Sequence, residues 1–160
     1  MLEGLKRHLK ELVNSLFAKS PEYYCDPLEE KVREKVAADC DISKEQLPPV
    51  EYRPLPFIGV LSKYGYAIVG KIAGAYDAIK HKIYIDPRDY LSSNLYERIK
   101  LLAEEFYHAA DRIKGKIKNK YKSLSDYLRN YHKDEDETRA KRYAERIASE
   151  LTSYLSLYGL

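Results

Sequence analysis

The residues from Leu95 to Ile113 repeat apolar side chains at Leu95, Ile99, Leu102, Phe106, Ala110 and Ile113, a spacing of three and four that suits one face of a long helix. Ser92, Ser93 or Asn94 offers it an N-cap. At about 100° per residue, Glu104, His108 and Asp111 gather nearly opposite Leu102 and Phe106. Glu104 and His108 then stand one turn apart, roughly 6 Å along the axis and about 40° around it. Such a helix must bury its stripe against the rest of the chain, so the other elements have to be arranged around it. On its own, Glu104 with His108 is an ordinary i, i+4 pair on a solvated face, worth about 0.3 kcal/mol. With a third donor it becomes a place for a metal ion.

Glu137 is the candidate third donor. A last helix is expected from about Asp134 to the C-terminus on the stripe Ala140, Ala144, Ile147, Ala148, Leu151 and Leu155. Steps of seven and eleven residues bring Glu137 into register with Ala144 and Ala148, so it heads the apolar stripe and points inward. A second reading stands beside this one. Asp134 followed three residues later by Glu137 has capping-box spacing, and carboxylates suit a helix N-terminus.

The remainder of the chain supplies a scaffold. Leu2, Leu5, Leu9, Leu12 and Leu16 mark an amphipathic helix to about Lys19, stopped by Ser20-Pro21. Asp26-Pro27 reads as a cap with proline at the first helical position, opening a helix through Val32, Val36 and Ala37 to about Asp39. From Leu47 to Asp86 the texture is that of sheet. Tyr66 to Ile72 and Ile83 to Ile85 alternate as strands, Gly74-Ala75-Tyr76-Asp77 lies between them as a turn or irregular edge, and Pro87 closes the region. Lys114 to Lys122 reads as a connector, with a short helix from Ser123 to Tyr131. The expectation is a single α+β domain over 1–160, with an N-terminal helical pair (1–45) and a core (46–160) built on a small, mainly antiparallel sheet.

A chain of 160 residues is long enough for one buried core. It has no apolar run near the roughly 18 residues that span a bilayer and no secretory h-region at its start, which points to a cytoplasmic protein without a membrane partner. One Gln, one Met, no Trp, 16 Tyr and abundant Lys and Glu lean towards a thermophile. Cys25 and Cys40 match neither a redox pair nor a zinc knuckle and read as buried free thiols, a disulfide being the alternative. His8, His81 and His132 have no partner motif. Because none follows a Glu by three residues, a di-iron bundle is set aside.

Charge is nearly balanced, 28 basic against 25 acidic residues, but not evenly spread. Arg112, Lys114, Lys116, Lys118, Lys120 and Lys122, with Tyr121 among them, could lie on phosphates while the tyrosine stacks on a base. A solvated lysine-rich connector is the plainer and preferred account of them. A protein-binding module presenting surface tyrosines is a further class.

Glu104-Glu105-Phe106-Tyr107-His108 has the form of the zinc-binding His-Glu-x-x-His helix, with glutamate in place of the first histidine. The run on to Ala109-Ala110-Asp111-Arg112 resembles the motif helix of gluzincin-type metallopeptidases related to the anthrax lethal factor catalytic domain. Glu137-Thr138-Arg139-Ala140 resembles their third-ligand segment. The resemblance covers about residues 60 to 155.

That resemblance implies a compact zincin-like domain and metal-dependent hydrolysis of a peptide or protein substrate. His108 and Glu137 would be metal ligands, with Glu104 in place of the first histidine. Glu105 would be the general base and Asp111 would orient an imidazole or tie down the helix. Tyr131, or next Tyr127, would steady the oxyanion. The added carboxylate weakens zinc and favours harder ions such as Mn or Fe, and it lowers the Lewis acidity that activates water. Two outcomes follow: an unusual metallohydrolase, or a zincin scaffold whose site has decayed, holds no metal and keeps its cleft for binding.

Overall fold

The structure, a computed structural model, describes residues 26–55, 73–77, 80–116 and 135–158. Helix α1 (Pro27–Cys40) starts where the sequence places it: Asp26 accepts a hydrogen bond from Leu28 N at 2.9 Å, and Pro27 fills the first position. It ends at Asp41, which takes the left-handed conformation with φ 54° and donates back to Ala37 O and Ala38 O. Val32, Val36 and Cys40 face the core, and Cys40 is a buried free thiol.

After a 3-10 turn (Lys44–Gln46), strand β1 (Val50–Tyr52) joins β2 (Gly74–Asp77) and β3 (Lys82–Ile85) in a three-stranded sheet of order β1-β3-β2. β2 pairs antiparallel with β3, but β1 pairs parallel to it, Val50 opposite Ile83 and Tyr52 opposite Ile85. The described sheet is therefore mixed, where a mainly antiparallel one was expected. Of the two expectations for Gly74-Ala75-Tyr76-Asp77, a turn or an irregular edge, the edge holds: it is strand β2, at the edge of the described sheet. Its neighbour in the ladder overrides the weak strand propensity of Gly and Asp.

Pro87 also does more than close the sheet. Asp86 Oδ1 caps Arg88 N at 3.0 Å and Pro87 starts the short helix α2 (Pro87–Ser92), repeating the Asp-Pro device of α1. Of the three candidate caps for helix α3 (Leu95–Ile113), Asn94 serves, accepting from Glu97 N at 2.9 Å. Ile99, Leu102, Ala103, Phe106, Ala109 and Ala110 are fully buried on it. Helix α4 (Glu135–Leu157) buries Ala140, Ala144, Ile147 and Ala148. Alanines on both helices let the axes approach closely, and α3 against α4 is the most extensive contact among the described elements.

The architecture is α+β, helices packed with a small sheet around one core. Among the described residues no helix is long and apolar enough to cross a membrane. The N-terminal Leu-rich segment, the 66–72 strand and the 123–131 helix lie outside the described residues, as does Cys25.

Asp86 is a buried tie at the sheet edge, only 1% exposed. Its carboxylate accepts from Leu55 N at 3.0 Å, from Arg88 Nε at 2.9 Å and from Arg88 NH2 at 2.5 Å. Burial by itself raises its pKa, but these donors outweigh burial and bring it down to about 2 from the ordinary 3.8. A carboxyl depressed in the folded state stabilises above its unfolded value and loses that contribution as pH falls towards 2. The Asp86→Asn variant should lose about 2 kcal/mol at neutral pH. Denaturant titrations at intervals between pH 2 and 7 should show the gap between the two proteins narrowing below pH 4.

Candidate metal centre

The packing of α3 on α4 places the first turn of α4 beside the last half of α3. There the ligand atoms of Glu104, His108 and Glu137 all lie within 4.8 Å of one another. All three residues are half-buried, so the face of α3 that could have been solvated is covered by α4. The three residues singled out as ligands are thus brought together from two helices.

His108 Nε2 and Glu137 Oε2 are 3.5 Å apart, with side-chain exposures of 15% and 13%. A charge-assisted hydrogen bond would draw such a pair to about 2.8 Å. Two donors each about 2.1 Å from a shared tetrahedral ion lie about 3.4 Å from each other. At 3.5 Å the two form a long ion pair, at a spacing that would also accommodate two ligands around one ion.

The electrostatics would suit a cation. Glu104, Glu105 and Glu137 surround one imidazole. Burial lowers the His108 pKa, but the hydrogen bond and charge of Glu137 and the charges of Glu105 and Glu104 outweigh burial and hold it up at about 9. Burial raises Glu105 to about 7, and the neighbouring Glu104 and Glu137 add to that. Burial also raises Glu104, with His108 pulling the other way. Lys141 and Lys100 also act on Glu104, and a divalent ion would sit favourably among the three carboxylates. The donor set fits such an ion, on the hard side of the scale.

Glu105 is buried and belongs to a different neighbourhood. It lies outside the three-residue ligand group and takes a hydrogen bond from the Tyr76 backbone on β2. Asp111 is 3% exposed and accepts from Arg139 NH2 at 2.5 Å, while Arg139 also reaches Asp136 at 2.8 Å. Asp111 thereby ties α3 to α4 directly below the ligand group. Arg139 and β2 are the functional neighbours that sequence reasoning missed. The only signal for Arg139 was its place two residues after Glu137, and none existed for Tyr76.

Tyr131 and Tyr127 lie outside the described residues, as do Lys118, Lys120, Tyr121 and Lys122. Of the basic segment, Lys114 Nζ donates to Cys40 O at 2.6 Å and Lys116 approaches Asp111 at 4.0 Å, so both turn back on the protein. His81 is likewise structural. Its ring bridges Tyr76 OH at 3.1 Å and Gln46 O at 2.9 Å from a residue at φ 50°. His8 and His132 lie outside the described residues.

Comparisons of the chain with protein-family models, with curated proteins and with solved structures find no match. The case for the site therefore stands on its own geometry.

Among the described residues, removing Arg139 leaves the buried Asp111 carboxylate with Lys116 at 4.0 Å to answer it. Because Arg139 is itself partly exposed, Arg139→Ala should cost about 1–3 kcal/mol, below the range of fully buried pairs. Urea denaturation reads the loss. Arg139→Ala combined with Asp111→Ala should recover part of it, as expected when the penalty is a stranded charge.

Proposed function

We propose that this protein is a zincin-like, metal-dependent hydrolase of peptide bonds acting in the cytoplasm, with Glu104, His108 and Glu137 as the ligands of one divalent cation. The observation that carries the reading is the convergence of these three donors from α3 and α4, with His108 and Glu137 at ligand-to-ligand spacing. The peptide substrate rests on the resemblance of the α3 and α4 segments to gluzincin-type metallopeptidases. When bound, the ion would polarise water and the scissile carbonyl.

The chain's own groups supply the rest. Glu105 lies in the field of His108, and its raised pKa of about 7 suits a carboxylate that takes a proton near neutral pH. Asp111 with Arg139 fixes the spacing of the two helices that carry the ligands. Two anionic donors in the set shift preference from zinc towards Mn or Fe.

Elemental analysis of the purified protein tests this reading. One equivalent of metal is expected, lost in His108→Ala and in Glu137→Ala, with zinc held more tightly in Glu104→His. The metal-loaded protein should cleave peptides, and Glu105→Gln should abolish cleavage without releasing the metal. A native protein without metal beside a Glu104→His variant that holds zinc would identify a zincin scaffold with a decayed site. Absence of metal from both would sink the proposal.

A further inference from the structure

The phase of the β2–β3 ladder decides what the outer side of β2 can do. Asp86 N donates to Ala73 O at 2.8 Å, and Gly74 pairs with Ile85 and Tyr76 with Ile83. Bonded and non-bonded pairs alternate along an antiparallel ladder. Ala75 and Asp77 therefore bond to β3, while Gly74 and Tyr76 turn their backbone N–H and C=O groups away from it. The Tyr76 N–H so released donates to the Glu105 carboxylate.

Gly74 completes the contact. A Cβ there would meet Glu105 Oε1 at 3.1 Å, Leu101 Cδ1 at 2.9 Å and Ile85 Cδ1 at 3.1 Å. The absence of a side chain at position 74 lets the strand lie close to Glu105; a Cβ there would press on the ends of the Leu101, Glu105 and Ile85 side chains. Glu105 needs such restraint. It lies three residues before His108, a spacing at which helix side chains meet, yet it is not among the donors that converge within 4.8 Å.

We infer that β2 is a clamp that holds Glu105 off the metal, with the Tyr76 N–H gripping its carboxylate and Gly74 making the room. The inference rests on the metal reading given above. Three ligands and a withheld fourth carboxylate leave a coordination position open for water, with a proton acceptor beside it. A carboxylate free to swing onto the ion would close that position and turn the centre into a structural one. Gly74 and Tyr76 are positioning residues in this arrangement.

Cobalt(II) is the probe, titrated into the full-length protein and read by its visible absorption, which weakens as coordination number rises from four. Glu105→Gln should leave the native spectrum unchanged, because Glu105 is not a ligand. Gly74→Ala should drive the carboxylate out and onto the ion, weakening and shifting the bands, and the Gly74→Ala, Glu105→Gln double variant should restore them. Where Gly74→Ala does not fold, Tyr76→Pro is compared with Tyr76→Ala: both lose the ring, only proline loses the N–H, and an outward N–H is one an edge strand can give up. Weakened bands in the proline variant alone are then expected.

A Gly74→Ala spectrum matching the native one, identical spectra for the two Tyr76 variants, or a change on Glu105→Gln alone would overturn the clamp. Failure of the native protein to bind cobalt would instead take down the metal reading, and the clamp with it.

Discussion

The close packing of α3 on α4 is the contact on which the rest depends. Ala140, Ala144 and Ala148 on one helix and Ala103, Ala109 and Ala110 on the other are all fully buried. Larger side chains at these positions would separate the axes and carry Glu137 away from His108. The same contact buries Asp111 against the partly exposed Arg139, an ionic tie between the two helices. The apolar seam brings Glu104, His108 and Glu137 together, and the ionic pair beside them holds the two helices to one another.

The seam also explains why so much charge sits inside a small domain. Buried carboxylates are costly unless hydrogen-bonded or matched by cations. Asp86 and Asp111 are matched by arginines. Tyrosines answer carboxylates nearer the surface: Tyr90 donates to Asp26 at 2.5 Å, Tyr52 to Glu29 at 3.2 Å and Tyr143 to the exposed Asp39 at 3.1 Å. This gives several of the 16 tyrosines a plain structural role at the end of a hydrophobic side chain. Around His108 the carboxylates of Glu104, Glu105 and Glu137 all act on one imidazole.

Much of this could be read from the sequence, because helices announce themselves by period and cap. Asp26-Pro27, Asn94 and the stripes of α3 and α4 appear where periodicity puts them, and Glu137 does head an inward face. Asp86-Pro87 carried the same signal as Asp26-Pro27 but was hidden at the end of a strand. β2 was legible only as a turn or an irregular edge, for a deeper reason. Four residues that include Gly and Asp have no strand preference of their own, and only pairing with β3 and close approach to α3 make them a strand. The position of Glu105 depended on β2 and was lost with it, since helix geometry alone sets its direction and not its partner.

The parallel pairing of β1 with β3 has a consequence for how the chain reaches this state. β2 and β3 are neighbours in sequence and pair antiparallel, and Lys80 N is held by Asp77 Oδ1 at 3.0 Å. β1 meets β3 across some thirty intervening residues. Closing a loop of that length costs more chain entropy than the local β2–β3 ladder does. The parallel pair is therefore the more demanding of the two to close, and the described sheet joins one cheap contact to one costly one.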